Sequence, residues 1–215
     1  MKILVLNSGS SSIKFKLYDD KTPIASGLIG KIGEHSSKIE LKNLTNNKHA
    51  RRDEPVPNHQ AGVKIINEFL QQTGLVQDLS HLDGCGHRVV HGGKNLTKHC
   101  LIDTKVLKEI RRVGVIAPLH NPAHLVGMKA MLEVAPNVPN VAVFDTAFHA
   151  TLPDYAYMYA LPYEFYKKEG IRRYGFHGTS HSYVSKKAAE FLGVKLAKFN
   201  AISLHLGNGA SVCAI

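Results

Sequence analysis

The residues of this chain best suited to chemistry form a hydroxyl-rich turn close to its N-terminus. An apolar run at Ile3–Leu6 gives way to a polar turn before the chain resumes as Ile13-Lys14-Phe15; the turn reads Asn7-Ser8-Gly9-Ser10-Ser11-Ser12. In such a turn, backbone N–H groups and the hydroxyls of Ser10 and Ser12 can converge on one anion, to which Lys14 adds a positive charge. A phosphate group is the expected ligand, although an ordinary hairpin explains a single turn of this kind equally well.

A second segment repeats this pattern. Residues 201–212 contain an apolar run, a small polar turn and a returning apolar pair. Aligning Leu6 with Leu206 also places Gly9 on Gly209. Two such hairpins predict two related domains, each presenting a phosphate-binding turn to a shared cleft.

The composition is that of a globular protein whose ligands are small anions. The chain has 215 residues, 44% of them hydrophobic, which suffices for one large domain or two small ones. Its net charge of +10 could serve either nucleic acid or anionic small molecules. Because no long Lys/Arg run occurs and aromatic residues make up only 7%, base-stacking surfaces would be hard to build. Nucleic acid is therefore not expected as a partner.

The cysteines and the hydropathy favour a cytoplasmic protein without a membrane span. Cys85, Cys100 and Cys213 are odd in number and lack Cys-x-x-Cys spacing, so neither a disulfide framework nor a structural zinc site is expected. A reducing cytosol fits this usage. No segment approaches the roughly 20 apolar residues of a membrane span, and the first apolar run is too short for a signal peptide.

Periodicity predicts antiparallel strands followed by alternating helices and strands. Further strands are expected at 24–29 and 39–41, a loop at 45–60 and a helix from Ala61 to Gly74. The later predicted elements are strands at 87–90, 138–144 and 201–206, helices at 106–113, 121–134 and 178–192, and a short helical piece near 164–168. The apolar side of the helix at 178–192 is expected to contain Tyr183, Val184, Ala188 and Phe191. This order predicts an α/β layer domain with Asp145 at the carboxyl end of a strand, where such sheets bind ligands.

Histidine spacing offers a metal site as an alternative. No P-loop signature occurs. His87 and His91, like His177 and His181, are four residues apart, a spacing that binds zinc on a helix. Zinc is not favoured, because the first pair lies on a predicted strand and neither pair has the glutamate of His-Glu-x-x-His.

Five polar segments, in order along the whole chain, resemble the motifs of the acetate kinase family. They are Asn7–Lys14, His87–Gly93, Phe144–His149, Arg173–His181 and His205–Ser211. The resemblance implies a duplicated actin-like (ribonuclease H-like) α/β fold with a mixed sheet. It also implies reversible Mg²⁺-dependent transfer of the γ-phosphoryl group of ATP to acetate, giving acetyl phosphate and ADP, and a homodimer for the full-length protein.

The resemblance also implies roles for individual residues. Arg88 would bind the acetate carboxylate, which a planar guanidinium can grip through two oxygens. Asp145 would be the acidic group of the centre, His177 a donor to the transferring phosphoryl group, and Asn7 would lie by the metal. Val90, Leu119 and Phe176 would wall the methyl pocket, while Ser10, Ser12, Lys14, His205, Leu206, Gly207, Asn208 and Gly209 would bind the nucleotide and its phosphates.

The chain departs from the family in its length. A later arginine, a later metal-binding glutamate and most of the adenosine pocket of the family have no counterpart here. The expected domains are residues 1–147, an N-terminal actin-like domain, and residues 148–215, the beginning of a nucleotide-binding domain that is truncated. A fragment of a longer kinase is therefore expected, inactive on its own.

Two rival functions stay open on the sequence alone. A propionate kinase would use the same carboxylate clamp, and a valine at Val90 favours acetate over it by only about 1–3 kcal/mol for one methylene. A noncatalytic phosphate- or nucleotide-binding module is the other rival. Taken singly, a surface ion pair explains Arg88 and a helix cap explains Asp145 better than catalysis does, and only the ordered motifs favour the enzyme.

Overall fold

The computed structural model describes residues 1–215 and divides them into two compact units. The first unit comprises Met1–Val89 and Cys100–Ala142, and the second comprises Val90–His99 and Val143–Ile215. The short segment 90–99 therefore packs with the second unit, although it follows a strand of the first. The domain boundary expected after residue 147 stays a prediction.

Strands and helices alternate along the chain after an all-β start. Strands β1 to β10 span Lys2–Gly9, Ser12–Asp19, Thr22–Gly30, Ser37–Asn43, Lys48–Glu54, Gly84–Val89, Cys100–Leu101, Asn140–Phe144, Ile202–Leu206 and Ala210–Ala214. Helices α1 to α5 span His59–Gln72, Thr104–Val113, Asn121–Val134, Asp154–Tyr157 and Gly178–Phe191. None of these helices combines the length and the apolar character needed to cross a membrane.

Strands β1 and β2 alternate between buried and more exposed residues. The buried apolar residues include Leu4, Leu6, Ile13 and Leu17, and Ser8 continues the buried face of β1. Strands β1 to β5 form an antiparallel meander, and β6 joins β1 in parallel. The sheet has the order β5-β4-β3-β2-β1-β6-β8-β7. The predicted α/β class with a mixed sheet is confirmed.

Helices α1 and α3 pack on the apolar face of this sheet through small residues. The side chain of Asn58 caps α1 by accepting a hydrogen bond from its first turn at 2.9 Å. A Cβ at Gly62 in α1 would lie only 2.9 Å from the Ile13 side chain of β2. A Cβ at Gly127 in α3 would lie 2.0 Å from Ser8 Oγ of β1. Both helices thus approach the two strands of the N-terminal hairpin closely.

The expected loop at 45–60 is wrong, because it contains strand β5. This strand pairs antiparallel with β4, and its residues Lys-His-Ala-Arg-Arg-Asp-Glu are nearly all exposed. No apolar alternation marks such a strand in the sequence. Charged residues are typical of a sheet edge, which they protect from pairing with other chains. Strand β7 was missed as well, because two residues carry no periodicity.

The N-terminal hairpin is tighter than expected. Gly9 pairs with Ser12, so only Ser10 and Ser11 form the turn, and Asn7 lies within β1. The expectation of a six-residue turn was therefore wrong. Asn7 gains a fixed position on the sheet instead of a place in a flexible loop.

The repeat predicted between the two ends of the chain is confirmed as a pattern but not in register. Strands β9 and β10 form an antiparallel hairpin, as β1 and β2 do. Leu206 pairs directly with Ala210, so the second turn consists of residues 207–209. Gly209 is therefore a turn residue, whereas its aligned counterpart Gly9 is a strand residue.

In the second unit, α5 packs on the hairpin of β9 and β10 through a polar face. The buried residues of α5 are Gly178, His181, Ser185 and Ala189. The predicted apolar side was wrong, since Tyr183 is 64% and Phe191 90% exposed. The alternation of β9 is likewise inverted, with Ser203 buried and Leu204 exposed. Polar contacts, described below, replace apolar packing between these elements.

Aromatic contacts order the long irregular segment 150–176. The guanidinium of Arg172 lies 3.5 Å from the centre of the Tyr157 ring, a cation–π contact. The Tyr157 and Tyr166 hydroxyls are hydrogen-bonded at 3.2 Å. The short helical piece expected near 164–168 is confirmed as a turn at Phe165–Glu169.

Candidate active site

In the first unit, three polar side chains form a row across the sheet beside the N-terminal turn. Asn7 on β1 pairs with Lys14 on β2. On the other side of β1, Leu6 pairs with His87 on β6, so Arg88 takes the position next to Asn7. Residues at matching positions of adjacent strands point to the same face, which places Lys14, Asn7 and Arg88 together. The row lies at the carboxyl ends of the parallel strands β1 and β6, where α/β sheets bind ligands.

Two histidines hydrogen-bond the end of strand β1, just before the N-terminal turn, from the helix side. His59 Nε2 donates to the carbonyl oxygen of Gly9 at 2.7 Å, and His124 Nδ1 donates to that of Ser8 at 2.8 Å. Both histidines are buried, His59 on α1 and His124 on α3. Ser10, one of the predicted phosphate ligands, is exposed at the tip, and Ser12, another, is half-buried.

Burial lowers the pKa of His87, the neighbour of Arg88, to about 4. Its Nε2 hydrogen-bonds the side-chain oxygen of Asn140 on β8 at 2.7 Å, which favours the protonated form but does not outweigh the loss of water. His87 is therefore a neutral packing residue at neutral pH. The zinc alternative gains nothing from it, because its ring already serves a structural hydrogen bond.

In the second unit, Asp145 follows β8 directly, as predicted, and is only 1% exposed. The hydroxyl of Thr179 donates to its Oδ1 at 3.3 Å, and the N–H of Gly178 donates to its backbone carbonyl at 3.0 Å. A Cβ at Gly178 would lie 2.2 Å from that carbonyl oxygen, so only glycine fits. Two hydrogen bonds thus connect the first turn of α5 to Asp145, one to its carboxylate and one to its backbone.

His177 occupies the N-cap position of α5 with a left-handed backbone. Its φ is 54°, which a residue with a side chain adopts rarely and mostly at functional sites. Its ring stacks on His205 with 4.1 Å between the centres, and its Nδ1 lies 2.9 Å from Ser211 Oγ. A Cβ at Gly209 would lie 3.3 Å from His177 Nε2, so the Nε2 edge faces the turn at 207–209.

The loop before His177 has its conformation fixed by close contacts with His149. Gly175 has a φ of 76°, and a Cβ there would lie 2.4 Å from the His149 ring. His149 Nε2 in turn donates to the carbonyl oxygen of Phe176 at 3.1 Å. Glycine is therefore required at position 175 for two independent reasons, its backbone conformation and the space available.

The three residues predicted to wall the methyl pocket have different surroundings. Val90 is buried, Phe176 is 40% exposed, and Leu119, between α2 and α3 in the first unit, is 81% exposed. In the second unit, the Phe176 ring contacts the edge of His91, with 5.4 Å between the ring centres. Burial lowers the pKa of His91 to about 4, and its Nδ1 accepts the N–H of Gly93 at 2.9 Å. His91 is therefore a neutral ring supporting Phe176.

The remaining predicted phosphate ligands form the second hairpin. His205 on β9 lies with its Nδ1 2.9 Å from Ser180 Oγ of α5. The N–H of Gly207 donates to the carbonyl of Gly209 at 3.1 Å, which closes the turn. Leu206 and the turn residues Gly207, Asn208 and Gly209 are exposed. The structure thus brings Asp145, His177, His205 and the 207–209 turn into one unit.

The serines that hold the histidines of the second unit were not predicted from the sequence. Ser203 and Ser211 contact both ring nitrogens of His181, and Ser180 contacts His205. One signal was present: His177 and His181 are one helical turn apart, and Ser203 and His205 alternate on one face of a strand. The pairing of these two faces depends on tertiary contacts.

Comparison with known proteins finds acetate and propionate kinases that are similar to this chain. The family model described as the acetokinase family matches residues 2–215. Among similar curated proteins, an acetate kinase of Campylobacter lari is 65% identical over 215 residues, which are 100% of this chain and 55% of that protein. The chain thus spans about half the length of the curated relatives it matches.

Solved structures agree with this placement. The acetate kinase of Porphyromonas gingivalis superposes with a TM-score of 0.91 at 41% identity, covering 100% of this chain and 54% of the other. A propionate kinase of Francisella tularensis gives 0.90 at 40% identity, with the same shares. With its family model matching almost from end to end, this chain belongs to the acetokinase family.

Proposed function

We propose that the protein is an acetate kinase, which transfers the γ-phosphoryl group of ATP reversibly to acetate. The observation that supports this most is the hydrogen bonding of the first turn of α5 to Asp145. It holds a buried carboxylate beside the N-terminus of a helix whose N-cap residue is His177. A helix N-terminus favours anions through its unpaired N–H groups and its dipole. Cation, donor and carboxylate are the groups that phosphoryl transfer between two anions needs.

Arg88 serves as the clamp for the acetate carboxylate in this proposal. A guanidinium offers two parallel N–H donors to the two carboxylate oxygens, which fixes the angle of the attacking oxygen as well as its position. Val90, Phe176 and Leu119 contact the methyl group. Because Val90 is a buried valine, it leaves less room for a longer acyl chain than a smaller residue would.

The phosphoryl groups are held by backbone and side-chain groups of both hairpins. Lys14, Ser10 and Ser12 bind the nucleotide from the first, and residues 205–209 bind phosphates from the second. Asp145 and Asn7 carry the oxygen ligands that Mg²⁺ prefers, and the bound ion would neutralise charge on the phosphoryl oxygens. His177 donates a hydrogen bond to the transferring group as its charge redistributes.

The test is acetate-dependent formation of acetyl phosphate by the full-length form, trapped as the hydroxamate. His177→Ala is expected to lower kcat by about one to three orders of magnitude, with little change in the KM for ATP, because a donor acts chiefly in the transition state. Absence of acetate-dependent turnover in the unaltered protein would reject the proposal and favour a noncatalytic nucleotide-binding module. The inactivity expected of the 215-residue chain alone stays a prediction, which the same assay tests.

Propionate is the second candidate substrate, favoured by the equally good superposition on a protein named propionate kinase. Comparing kcat/KM on acetate and propionate decides between them. We expect acetate to be preferred and Val90→Ala to shift the ratio toward propionate by up to about a hundredfold, the value of one methylene. A homodimer and a cytoplasmic location stay predictions.

A further inference from the structure

A chain of hydrogen bonds inside the second unit ends on the ring of His177. Ser203 Oγ lies 2.9 Å from His181 Nδ1, and His181 Nε2 lies 2.8 Å from Ser211 Oγ. Ser211 Oγ lies in turn 2.9 Å from His177 Nδ1. His181 is 1% and Ser203 8% exposed, so water has little access to the Ser203 end of these hydrogen bonds. The proposed function assigns no role to Ser203, His181 or Ser211.

The number of available protons restricts which groups can donate and which can accept in this series of hydrogen bonds. A neutral imidazole has one N–H and one accepting nitrogen, and a serine hydroxyl has one proton to donate. Ser211 therefore cannot donate to His177 and His181 at once. If His181 donates from Nε2 to Ser211, it accepts from Ser203 at Nδ1, and Ser211 is left to donate to His177. All three contacts are then satisfied in one direction. The opposite direction satisfies them as well, with His177 donating from Nδ1 to Ser211, Ser211 to His181 Nε2, and His181 from Nδ1 to Ser203. The two directions differ in the nitrogen of His177 that carries the proton, which is Nε2 in the first and Nδ1 in the second.

The surroundings of His181 keep it neutral, which either direction requires. Burial lowers its pKa, and the nearby rings of His149, His205 and His177 lower it further. His149 and His205 lie 5.9 and 6.4 Å away between ring centres. No acidic side chain is hydrogen-bonded to the His181 ring, whose two nitrogens are both occupied by serines.

We propose that Ser211 and His181 are positioning residues that bind His177 at Nδ1 and thereby keep its proton on Nε2. Which ring nitrogen of a histidine carries the proton is set by the partner of the other nitrogen. The Nε2 edge of His177 lies against the turn at 207–209, where a Cβ at Gly209 would be 3.3 Å from Nε2, and the proposed function assigns phosphate binding to that turn. Only a proton on Nε2 lets this edge donate to a phosphate oxygen bound there. With the opposite tautomer, a bare lone pair would face the ligand oxygens there and repel them.

The role of His177 in this inference rests on the proposed function, whereas its tautomer is a property of the chain itself. The first experiment is therefore free of any activity. Long-range ¹H–¹⁵N NMR of the histidine rings in the 215-residue chain reports which nitrogen is protonated. We expect His177 with its proton on Nε2, and a mixture of both tautomers in Ser211→Ala. Ser185→Ala is the matched control, because Ser185 lies on α5 but bonds the Ser182 carbonyl instead.

The second experiment is kinetic and uses the full-length form. Ser211→Ala is expected to lower kcat for acetyl phosphate at least about tenfold with little change in the KM for ATP, as wrong tautomers do in other histidine-dependent enzymes. Ser211→Thr keeps the hydroxyl and should restore kcat, and Ser185→Ala should not alter it. If Ser211 had only a structural role, Ser211→Ala would lower the stability of the protein without lowering kcat selectively.

The outcomes separate the inference from the proposed function. A His177 proton on Nδ1 in the unaltered chain, or ring signals unchanged in Ser211→Ala, overturns the positioning role whatever the activity. If Ser211→Ala does not fold, Ser203→Ala tests the same series of hydrogen bonds from its other end. Unchanged tautomers of His177 and His181 in the Ser203→Ala variant would reject the inference. If the full-length form makes no acetyl phosphate, the proposed function fails while the NMR result still decides the tautomer.

Discussion

At the scale of single residues, this chain assigns its histidines to distinct tasks by burial and partner. His87 and His91 are buried and neutral, and His59 and His124 bind backbone carbonyls at the end of β1. A further group surrounds the cap of α5: His149, His177, His181 and His205. A histidine count or a pair spacing does not distinguish these tasks. The partner of each ring nitrogen does.

The residue proposed to clamp acetate can be tested without removing its charge. Arg88→Lys keeps the positive charge but loses the two-pronged geometry, so we expect a higher KM for acetate together with a lower kcat, about tenfold or more in kcat/KM. Arg51→Lys is the matched control, since Arg51 is 72% exposed and only reaches Glu40 at 3.6 Å. Steady-state kinetics on the full-length form measures both. Unchanged acetate kinetics in Arg88→Lys would remove the guanidinium from the site.

The buried His87 predicts a specific dependence of stability on pH. Its folded pKa is about 4, below its ordinary value of about 6.5, so between these two pH values the unfolded chain binds a proton that the folded chain does not. The free energy of unfolding should therefore fall as the pH is lowered through this window, by on the order of 2–3 kcal/mol from this residue, and be unaffected by it above. His87→Gln keeps a donor for Asn140 and should flatten the curve.

Urea denaturation between pH 4.5 and 7.5 measures both curves. His81→Gln serves as the control, because His81 is 54% exposed. Parallel curves for His87→Gln and the unaltered chain would show that another group dominates the acid destabilisation.

At the scale of elements, glycines decide how closely the loop before α5 approaches its neighbours. Gly175 and Gly193 share a left-handed backbone, with φ of 76° and 66°. A Cβ at Gly175 would meet the His149 ring at 2.4 Å, whereas a Cβ at Gly193 would meet nothing within 4 Å. The pair therefore separates the cost of the backbone conformation from the cost of lost space.

Gly175→Ala should be much more destabilising than Gly193→Ala. We expect about 1 kcal/mol for Gly193→Ala, from the left-handed conformation alone, and at least about 2–4 kcal/mol for Gly175→Ala, where the His149 ring must also move. Chemical denaturation gives both values, and the His149 ring signals should shift only in Gly175→Ala. Equal losses of unfolding free energy at the two positions would mean that the His149 ring can move aside at no cost.

Elements with strong apolar periodicity were predictable, and those held by polar pairing were not. Helices α1, α2 and α3 overlap the helices that spacing predicted at 61–74, 106–113 and 121–134. Strand β5 escaped prediction because backbone pairing with β4 forms it, without an apolar face. The buried face of α5 escaped for a related reason, since it packs through His181 and Ser185 and leaves Phe191 exposed.

The candidate site was predictable as motifs and not as contacts. The position of Asp145 after a strand follows from local pattern, whereas the pairing of Asn7 with Lys14 depends on the tighter turn that the structure shows. The link from Ser203 through His181 to His177 joins residues far apart in the sequence, and only tertiary packing creates it. No local spacing carries that information.

At the scale of the whole molecule, the two units differ in how much apolar surface they bury. The first unit contains a continuous core drawn from β1 to β4, β6, α1 and α3, with Leu4, Leu6, Ile13, Ile66 and Leu70 at most 1% exposed. In the second unit the buried apolar residues are Val90, Phe144 and Ala189. Polar hydrogen bonds hold α5 to β9 there instead. Burial of apolar surface is the main favourable term in folding, so the units should differ in stability.

Amide hydrogen exchange should reveal this difference as two levels of protection. We expect the amides of β1, β2 and β6 to exchange only through global unfolding, and those of α5, β9 and β10 to exchange at least about a hundredfold faster through local opening. Ile66→Ala, which removes a fully buried side chain of the first unit, should cost about 2–5 kcal/mol and accelerate exchange in β1 and β2 while leaving α5 unchanged. Exchange followed by mass spectrometry of peptides resolves these segments. Protection of α5 equal to that of β1, or equal acceleration of both by Ile66→Ala, would mean that the polar network makes the second unit as stable as the apolar core makes the first.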